Sequence, residues 1–460
     1  MNRTSMPALR VLLFTAAFGA LSACASLAPP KTDMPTVATD VPAAWLLELP
    51  SDGNQPMDWA EIYNDPILLR YLTVAEAQNF DVQTAQKRVI GAEAELRRAA
   101  SRLKPSLNAG GSASGTALFS DIDNPFDAYG FDLSGRWDPD IFGQTRAGIN
   151  GSRANLRAQE ALAADTRQAV LGATGRSYVR AVEAALQVDL AKTNLDFLAE
   201  SRRISEARYR LGDTAKGDFS FAEANYQSAL ASYESTVQSA RAARRALSII
   251  LGDYPDEDID LATQLREPNA LPPRDLPASV LERRPDIIAA RAQLAGRIAS
   301  LQGAKLERWP SLGLSGSLSS GSSFVDLFDP SDFVARLGAS IAQVIFDGGA
   351  IEAGIDGAQA DLDISLLSYE QRLRGAMNEI SDAYDRAETL RRTLVNLEAS
   401  SEAANEALRL ESIQFDLGES SLLDVLQVQT RVNSIDASLI RTKADLLESV
   451  LTANEAVAGF

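Results

Sequence analysis

Histidine is absent from this 460-residue chain. Its absence excludes a Ser–His–Asp triad, a Cys–His nucleophile pair and metal binding through imidazole. The sequence also has no Gly-rich phosphate loop and no clustered carboxylate motif. A hydrolase that works with carboxylates alone is the remaining catalytic alternative, and no nucleophile motif supports it. We therefore predict that the chain is not an enzyme and holds neither a metal ion nor a cofactor.

Cysteine occurs once, at Cys24, so no disulfide can form within the chain. Two arginines and a short apolar run, residues 11–21, precede it, as in an export signal. The run is shorter than the about 20 residues that a bilayer-spanning helix needs. Leu21-Ser22-Ala23-Cys24 resembles the lipidation site of bacterial lipoproteins. We expect residues 1–23 to be removed and Cys24 to carry the lipid; an ordinary signal peptide is the alternative.

Positive charge is in deficit, with 44 Lys and Arg against 62 Asp and Glu, which gives a formal net charge of −18. Nucleic-acid binding depends on clustered Lys and Arg at the phosphates. We therefore expect no nucleic-acid partner. Residues 24–57 are rich in Pro, Thr and Asp, and this composition predicts an extended tether between the lipid and the folded chain.

One pattern occurs twice, about 206 positions apart. Lys-Pro-Ser-Leu at 104–107 returns as Trp-Pro-Ser-Leu at 309–312, and the segment 147–151 returns as 353–357. Each copy also contains Leu-Gly followed six residues later by aspartate. Such a repeat indicates duplication of one structural unit. We place the first repeat at 58–262, a Pro-rich linker at 263–279 and the second repeat at 280–460.

Both repeats alternate long helices with short strand segments. The Ala-rich amphipathic pattern predicts helices that pack as a coiled coil. The predicted helices span about residues 59–102, 145–209, 219–251, 285–306, 350–415 and 422–456. Two strand-like segments lie within 106–142 and two within 311–346.

The strand segments alternate apolar with small or polar residues. Phe131, Leu133 and Trp137, for example, are separated by polar residues. This period of two fits a transmembrane strand with lipid on one face and water on the other, and it also fits a soluble antiparallel sheet. In the first case the four strands cannot close a barrel, because known barrels begin at about eight strands. Two chains would supply eight strands and three chains twelve.

Three motifs resemble the outer-membrane factor family, the TolC-like exit ducts. Residues 137–143, Trp-Asp-Pro-Asp-Ile-Phe-Gly, are similar to the family's strand-to-helix motif, with Pro139 a departure. Residues 281–287, Leu-Glu-Arg-Arg-Pro-Asp-Ile, resemble the opening of its second repeat, and 345–349 resemble the second corner. The resemblance covers about residues 40–460, and the chain is identified as a member of the lipoprotein branch, with the NodT-like proteins.

The resemblance implies a fold that is mainly α with membrane β: a homotrimer sharing a 12-stranded barrel, extended by a long periplasmic α-helical barrel. It implies an outer-membrane exit duct of a tripartite efflux system, which exports small molecules such as drugs passively. The implied partners are a periplasmic adaptor, an inner-membrane pump and outer-membrane lipid. The alternatives are a type I protein-secretion duct and a lipid-anchored periplasmic coiled-coil scaffold.

The family also implies where the duct narrows and docks. Asp424, and Asp218 in the first repeat, match the gate position. The tips for adaptor docking correspond to Gly212, Asp213, Gly418, Glu419 and Ser421. Three other tip residues depart from the family pattern: Phe415 replaces its tyrosine, Ser420 replaces the arginine of some members, and Gln427 replaces its second aspartate. The contacts that close the duct in other members therefore do not transfer directly to this chain.

The alternative role of Asp218 and Asp424 is helix N-terminal capping, and the two roles are compatible. In a trimer, three Asp424 carboxylates about 6 Å apart would repel by about 3 kcal/mol per pair at an effective dielectric of 20. A closed ring would therefore need a bound cation, a raised pKa or other closing contacts.

Overall fold

The computed structural model describes residues 65–118, 121–266, 268, 277–322 and 329–457. Cys24, the signal segment and the tether lie outside the described residues. The elements follow in chain order: α1 Pro66–Gln78, α2 Phe80–Ser101, β1 Ser106–Leu118, β2 Asp121–Trp137, α3 Gln144–Leu211, α4 Lys216–Leu251, α5 Pro277–Arg283, α6 Pro285–Leu306, β3 Ser311–Ser322, a 3-10 turn Pro330–Asp332, β4 Val334–Ala342, α7 Ala350–Leu417 and α8 Leu422–Ala456.

The predicted order of long helices and paired strands is confirmed, with two differences. The first helix is divided at Asn79, whose side-chain oxygen accepts the backbone N–H groups of Asp81 (2.8 Å) and Val82 (3.4 Å) and so caps the start of α2. A short helix, α5, begins at Pro277, inside the predicted linker. Proline suits the first position of a helix, because the N–H group that it lacks would have no acceptor within the helix there.

The chain divides into two compact units, and each combines segments of both repeats. The described residues of the first unit are those within 90–158 and 290–369, which include all four strands. Those of the second unit lie within 65–89, 159–289 and 370–457.

The four strands of the first unit form one antiparallel sheet in the order β1-β2-β3-β4. The pairing of β2 with β3, for example Leu133 opposite Leu318, joins the two repeats. Directly opposed residues of an antiparallel sheet point to the same face. In this unit, α6 also packs on α7 through a cluster around Leu294, Leu301 and Leu362.

The core of the second unit is formed by α1, α3, α4, α7 and α8, with Val82 added from α2. Leu68, Val182, Leu247 and Leu451 are each at most 2% exposed, and burial of such side chains contributes about 1.5–3 kcal/mol each. Tyr178 lies at the edge of this cluster, where its hydroxyl donates to the Asp65 carboxylate at 2.7 Å. This packing fixes the bodies of the helices whose ends form the tips.

Among the residues that the structure describes, no helix combines the length and the apolar character required to cross a membrane.

Candidate functional site

Both long helices, α3 and α7, end in the same chain reversal in the second unit. Gly212 and Gly418 adopt φ values of 80° and 79°, which favour glycine. The N–H of Asp213 donates to the carbonyl of Arg208 at 2.9 Å, and the N–H of Glu419 donates to that of Gln414 at 2.8 Å. This six-residue closure is the Schellman motif. Four of the five predicted docking residues therefore sit in two equivalent turns.

The helices that follow the turns begin differently. At α8, the Ser421 hydroxyl and backbone N–H both contact Asp424 Oδ2, at 2.6 and 3.1 Å, and the Asp424 N–H donates to Ser421 Oγ at 3.3 Å. These contacts form a capping box. At α4, Ala215 occupies the cap position and provides no side-chain hydrogen bond, although Asp218 lies in the first turn. The capping role thus applies to Asp424, and Asp218 has no capping partner of this kind.

Asp424 is exposed, and its hydrogen bonds with the Ser421 side chain and backbone lower the pKa of its carboxyl. The carboxylate therefore carries its charge at neutral pH. Repulsion within a ring of Asp424 carboxylates could be relieved by a raised pKa, a bound cation or other closing contacts. The hydrogen bonds from Ser421 oppose a raised pKa. A bound cation or other closing contacts are the two that they leave open.

Aromatic side chains brace the two turns. Arg208 lies over Phe415, with its guanidinium carbon 4.5 Å from the ring centroid, so the ends of α3 and α7 touch. Tyr209, the first-repeat counterpart of Phe415, instead stacks on Phe219 with ring centroids 5.9 Å apart. Where the family pattern has tyrosine, Phe415 thus provides a ring face for a cation in place of a hydroxyl. The contact of Phe415 with Arg208 could not be predicted from the sequence, because only the fold brings the two helix ends together.

Two further pairs of tip residues recur at equivalent positions of the two turns and were not predicted from the sequence. Leu211 and Leu417 hold equivalent positions and are 77% and 69% exposed. The hydroxyls of Thr214 and Ser420, also equivalent, are buried without a hydrogen-bond partner in the described part of the chain. Their recurrence in both repeats was the available signal. Each tip therefore offers an exposed apolar side chain beside an unused hydrogen-bonding group.

The sheet of the first unit has one apolar and one polar face. The apolar face carries Leu107, Ala109, Phe131, Leu133, Trp137, Leu312, Leu314, Leu318, Ala335, Leu337, Ala339 and Ile341. The polar face carries Asn108, Ser112, Asp132, Ser134, Arg136, Ser315, Ser317, Ser319, Arg336 and Ser340. Leu337 is 94% exposed and Ile341 76% exposed, so no described residue covers the apolar face along β4. Within the described residues, β1 and β4 each pair on one side only.

Hydrogen bonds from backbone N–H groups to aspartate side chains fix the junctions between the strands and the long helices. Asp140 accepts the backbone N–H groups of Thr145 (3.0 Å) and Arg146 (2.9 Å), and Asp347 accepts those of Gly349 (2.9 Å) and Ile351 (2.7 Å). Each carboxylate thereby caps the positive end of a 68-residue helix. The motif residues at these corners act structurally, by setting the direction in which each helix leaves its strand.

In a sequence without histidine, acidic and cysteine side chains are the main candidates for metal ligands. Across the described ranges, no group of three or more such side chains is arranged to hold a metal ion.

An uncovered apolar sheet face with open edges, followed by paired long helices, defines a channel-forming membrane protein. The family model described as "Outer membrane efflux protein" matches residues 72–253 and 276–458. The chain therefore belongs to the outer membrane efflux protein family, and the resemblance to the outer-membrane factors is confirmed. Membership places the chain in the outer membrane.

Named relatives match nearly the whole chain. Nodulation protein T of Rhizobium leguminosarum bv. trifolii is 27% identical and covers 87% of each chain. The pyoverdine export outer membrane protein OpmQ of Pseudomonas aeruginosa is 27% identical and covers 89% of this chain and 88% of its own. The first of these relatives carries the name of the NodT-like proteins that the sequence motifs indicated.

Solved structures share the fold. The open state of the MtrE outer membrane channel of Neisseria gonorrhoeae superposes with a TM-score of 0.82 at 24% identity, covering 93% of this chain and 97% of MtrE. The outer-membrane channel OprN gives a TM-score of 0.79 at 25% identity, covering 94% and 98%. The predicted fold class, mainly helical and duplicated with a four-stranded membrane sheet, is confirmed.

Proposed function

We propose that three copies of this chain form an outer-membrane exit duct that exports small molecules passively. The observation that carries this proposal is the four-stranded sheet with an uncovered apolar face and two open edges. A bilayer core tolerates no unpaired strand edge, so the edges must meet other strands. Three sheets supply twelve strands, enough for a barrel with lipid outside and water inside.

In this proposal, other proteins supply the energy for export. The sequence contains no Gly-rich phosphate loop for a nucleotide, and a relative is named as the outer membrane protein of an efflux pump, so we assign the energy source to an inner-membrane pump. A periplasmic adaptor would connect the two at the tips, around Gly212, Asp213, Gly418, Glu419 and Ser421. Relatives named for export of pyoverdine and of toluene support small molecules, rather than proteins, as the cargo class.

Asp424 is proposed to line the constriction of the closed duct, with Asp218 near it. The capping box does not conflict with this role, because it engages Asp424 Oδ2 and leaves the exposed carboxylate charged. Gln427 in place of a second aspartate reduces the charge of the ring. Ser420 provides a hydroxyl where other members have an arginine, so salt bridges contribute less to closure here.

A lipid on Cys24 is proposed to add a second anchor beside the barrel. Mass spectrometry of the mature N-terminus tests it. A chain that begins at Cys24 with acyl chains attached supports the anchor, and an unmodified chain that begins elsewhere rejects it.

The duct itself is tested by charge on the apolar sheet face. Leu314→Arg should cost about 2–4 kcal/mol per chain near the bilayer midplane and reduce the yield of membrane trimer. Ser315→Arg, one residue along β3 on the polar face, is the matched control and should leave the yield unchanged. Heat-modifiable trimers in outer-membrane fractions provide the measurement. Equal behaviour of the two variants would favour the periplasmic scaffold, whose sheet would be soluble.

Adaptor docking is tested at the turns. Gly212→Leu or Gly418→Leu should abolish efflux while trimers still form, because a side chain at positive φ distorts the tip. Gly375→Leu is the control, since Gly375 lies within α7 with nothing within 4 Å of its added Cβ. Photo-crosslinkers at Glu419 should capture the adaptor. Capture elsewhere on the chain but never at the tips would reject this docking site.

A further inference from the structure

We propose that the seam between α3 and α8, formed by residues 165–187 and 437–455, is strengthened by mild acid. Protonation of Asp165 and Glu183 of α3 removes repulsion from carboxylates of the helices that face them. This regulatory device goes beyond the proposed duct, because it concerns the stability of the second unit and does not depend on export. Its direction is unusual, since acid normally weakens a protein by protonating carboxylates that are paired in the folded state.

Two ion pairs hold α3 against α8. Arg176 donates to Glu455 at 2.7 Å, and Arg180 donates to both carboxylate oxygens of Glu448, at 2.7 and 3.1 Å. Between the two pairs, Leu451 of α8 is fully buried. The seam is therefore closely packed, and a charge that faces it is partly removed from water.

Asp165 and Glu183 lie on the same side of α3 as these arginines. They are 18 residues apart, which is about five turns of an α-helix, and Arg176 lies within about 20° of both around the helix axis. Both acidic residues are half-buried. In the described ranges of the chain, no group donates a hydrogen bond to either carboxylate. Since buried carboxylates are normally paired, each of these two destabilises the folded chain while it is charged.

A cleft of about 380 Å³ beside Asp165 is walled by other acidic residues. They are Asp286 at the start of α6, Glu379 of α7 and Glu455 of α8. Arg176 also lines this wall, but it is already paired with Glu455. Asp165 thus faces carboxylates from three other helices.

The other cations near Asp165 are engaged as well. Arg284 donates to Asp286 and Glu379, and Arg372 lies 3.9 Å from Asp286. Burial raises the pKa of the Asp165 carboxyl, and the charge of Asp286 raises it further. Arg372 and Arg284 oppose this shift without reversing it. Asp165 is therefore the carboxylate that the local cations leave uncompensated.

Glu183 occupies a similar environment at the other end of the seam. The charged groups around it come from α3, α7 and α8: Arg180, Arg386, Arg441, Asp445 and Glu448. Arg180 is engaged by Glu448, and Arg386 lies 3.9 Å from Asp445. Burial raises the pKa of Glu183 against the opposing charge of Arg441. The carboxylates of Asp445 and Glu448 raise it further.

The seam gains stability as the pH falls. Because the pKa values of both carboxyls are raised in the folded chain, the destabilisation is complete above these values. It disappears as the pH falls through them towards the usual values of about 3.9 for Asp and 4.3 for Glu. A protonated Asp165 also becomes a hydrogen-bond donor, with the carboxylates of Asp286 and Glu455 on the same wall as acceptors. Asp286 itself has a lowered pKa, so its stabilising effect is lost only below this window.

Neutral substitutions test the seam in the full-length protein. Asp165→Asn and Glu183→Gln imitate the protonated carboxyls, so at neutral pH each should slow amide hydrogen exchange of residues 444–456 by about two- to ten-fold, ten-fold being equivalent to about one pKa unit. Asp189→Asn is the matched control. Asp189 is exposed on the same helix, and its replacement reduces the negative net charge by the same amount.

The pH dependence is the second readout. Between neutral pH and about pH 4.5, after correction for the intrinsic exchange rate, residues 444–456 of the unmodified chain should exchange more slowly in acid. The double variant with Asp165→Asn and Glu183→Gln should lose most of this change. The two sites are about 27 Å apart along α3, so the effects of the single substitutions should add.

The outcomes separate the seam from the duct. Faster exchange in Asp165→Asn or Glu183→Gln at neutral pH would overturn the seam, because the charged carboxylate would then be stabilising. Equal slowing in Asp189→Asn would also overturn it, since the cause would be the lower net charge. A double variant that keeps its full pH dependence would do the same. Each of these results leaves membrane insertion and conduction untouched, so the duct is judged by its own experiments.

Discussion

The guanidinium of Arg208 lies over the ring of Phe415, 4.5 Å from its centroid, and joins the ends of α3 and α7 at the tips. Phe415 is only 7% exposed, so its ring is held in place by packing. A cation over an aromatic ring contributes about 0.5–1 kcal/mol at such a site. The contact links the two tips of one chain without any carboxylate.

Arg208→Gln should loosen this link. We expect amide hydrogen exchange at the end of α7 to rise about two- to five-fold, which corresponds to the loss of about 0.5–1 kcal/mol. Arg203→Gln is the control, because Arg203 pairs with Glu200 of its own helix at 2.5 Å. If the two variants exchange alike, the contact with Phe415 does not hold the tips together.

Because α8 has a capping box and α4 has none, two substitutions at these caps should change helix stability in opposite directions. Ser421→Ala removes the capping box and should destabilise the start of α8 by about 1 kcal/mol. Ala215→Ser places serine three residues before Asp218 and should build a second capping box, which stabilises α4 by about 0.5–2 kcal/mol. Hydrogen exchange of the first turns of both helices measures these effects. If Ala215→Ser does not slow hydrogen exchange in the first turn of α4, Asp218 is engaged elsewhere.

Much of this architecture could be predicted from the sequence because its patterns are local. Alternation placed the strands, and uninterrupted periodicity placed α6 and α8 with the observed bounds. The cap that Asn79 provides to Asp81 and Val82 is local, but the contact that holds Asn79 is distant, from its side-chain amide to the carbonyl of Ile250 at 2.8 Å, and the division of the helix there was missed. Arg208 over Phe415 was missed for the same reason. Contacts between elements far apart in sequence require the fold.

The Arg284 side chain predicts a strong dependence of stability on one buried ion pair. It is 9% exposed and donates to both Asp286 oxygens at 3.0 and 2.9 Å, to Glu379 at 2.7 Å and to the carbonyl of Ala456 at 3.0 Å. Burial opposes the charged form of Asp286, yet the hydrogen bonds from Arg284 prevail and lower the pKa of this carboxyl. Arg284 therefore connects the start of α6, where it binds Asp286, to the end of α8, where it binds the carbonyl of Ala456.

Arg284→Met should destabilise the second unit by about 3–5 kcal/mol, because it leaves the buried Asp286 without its hydrogen-bonded cation and with only Arg372, at 3.9 Å, beside it. Adding Asp286→Leu should recover part of that loss, since no uncompensated charge remains. Arg374→Met is the surface control, as Arg374 is 83% exposed in its pair with Glu370. Thermal unfolding followed by circular dichroism provides the measurement. A double variant less stable than Arg284→Met would contradict this account.

The proposed gate predicts how the duct conducts. In a planar bilayer the channel should conduct poorly, prefer cations and be blocked by divalent or trivalent cations added from the tip side. Asp424→Ala should weaken both the preference and the block, with a smaller effect from Asp218→Ala. Gln427→Asp should strengthen the block, because it restores a second ring of carboxylates.

The pKa of Asp424 gives this prediction a pH dependence with a definite sign. Hydrogen bonds from Ser421 lower that pKa, so they stabilise the folded chain fully above the usual aspartate pKa of about 3.9 and lose this effect as the pH falls through the lowered value. Ser421→Ala removes the hydroxyl, and the carboxylate should then protonate at a higher pH. Cation preference should accordingly vanish at a higher pH in Ser421→Ala than in the unmodified channel. If the two pH profiles coincide and Asp424→Ala changes neither selectivity nor block, Asp424 serves only as a helix cap, and other residues must form the constriction.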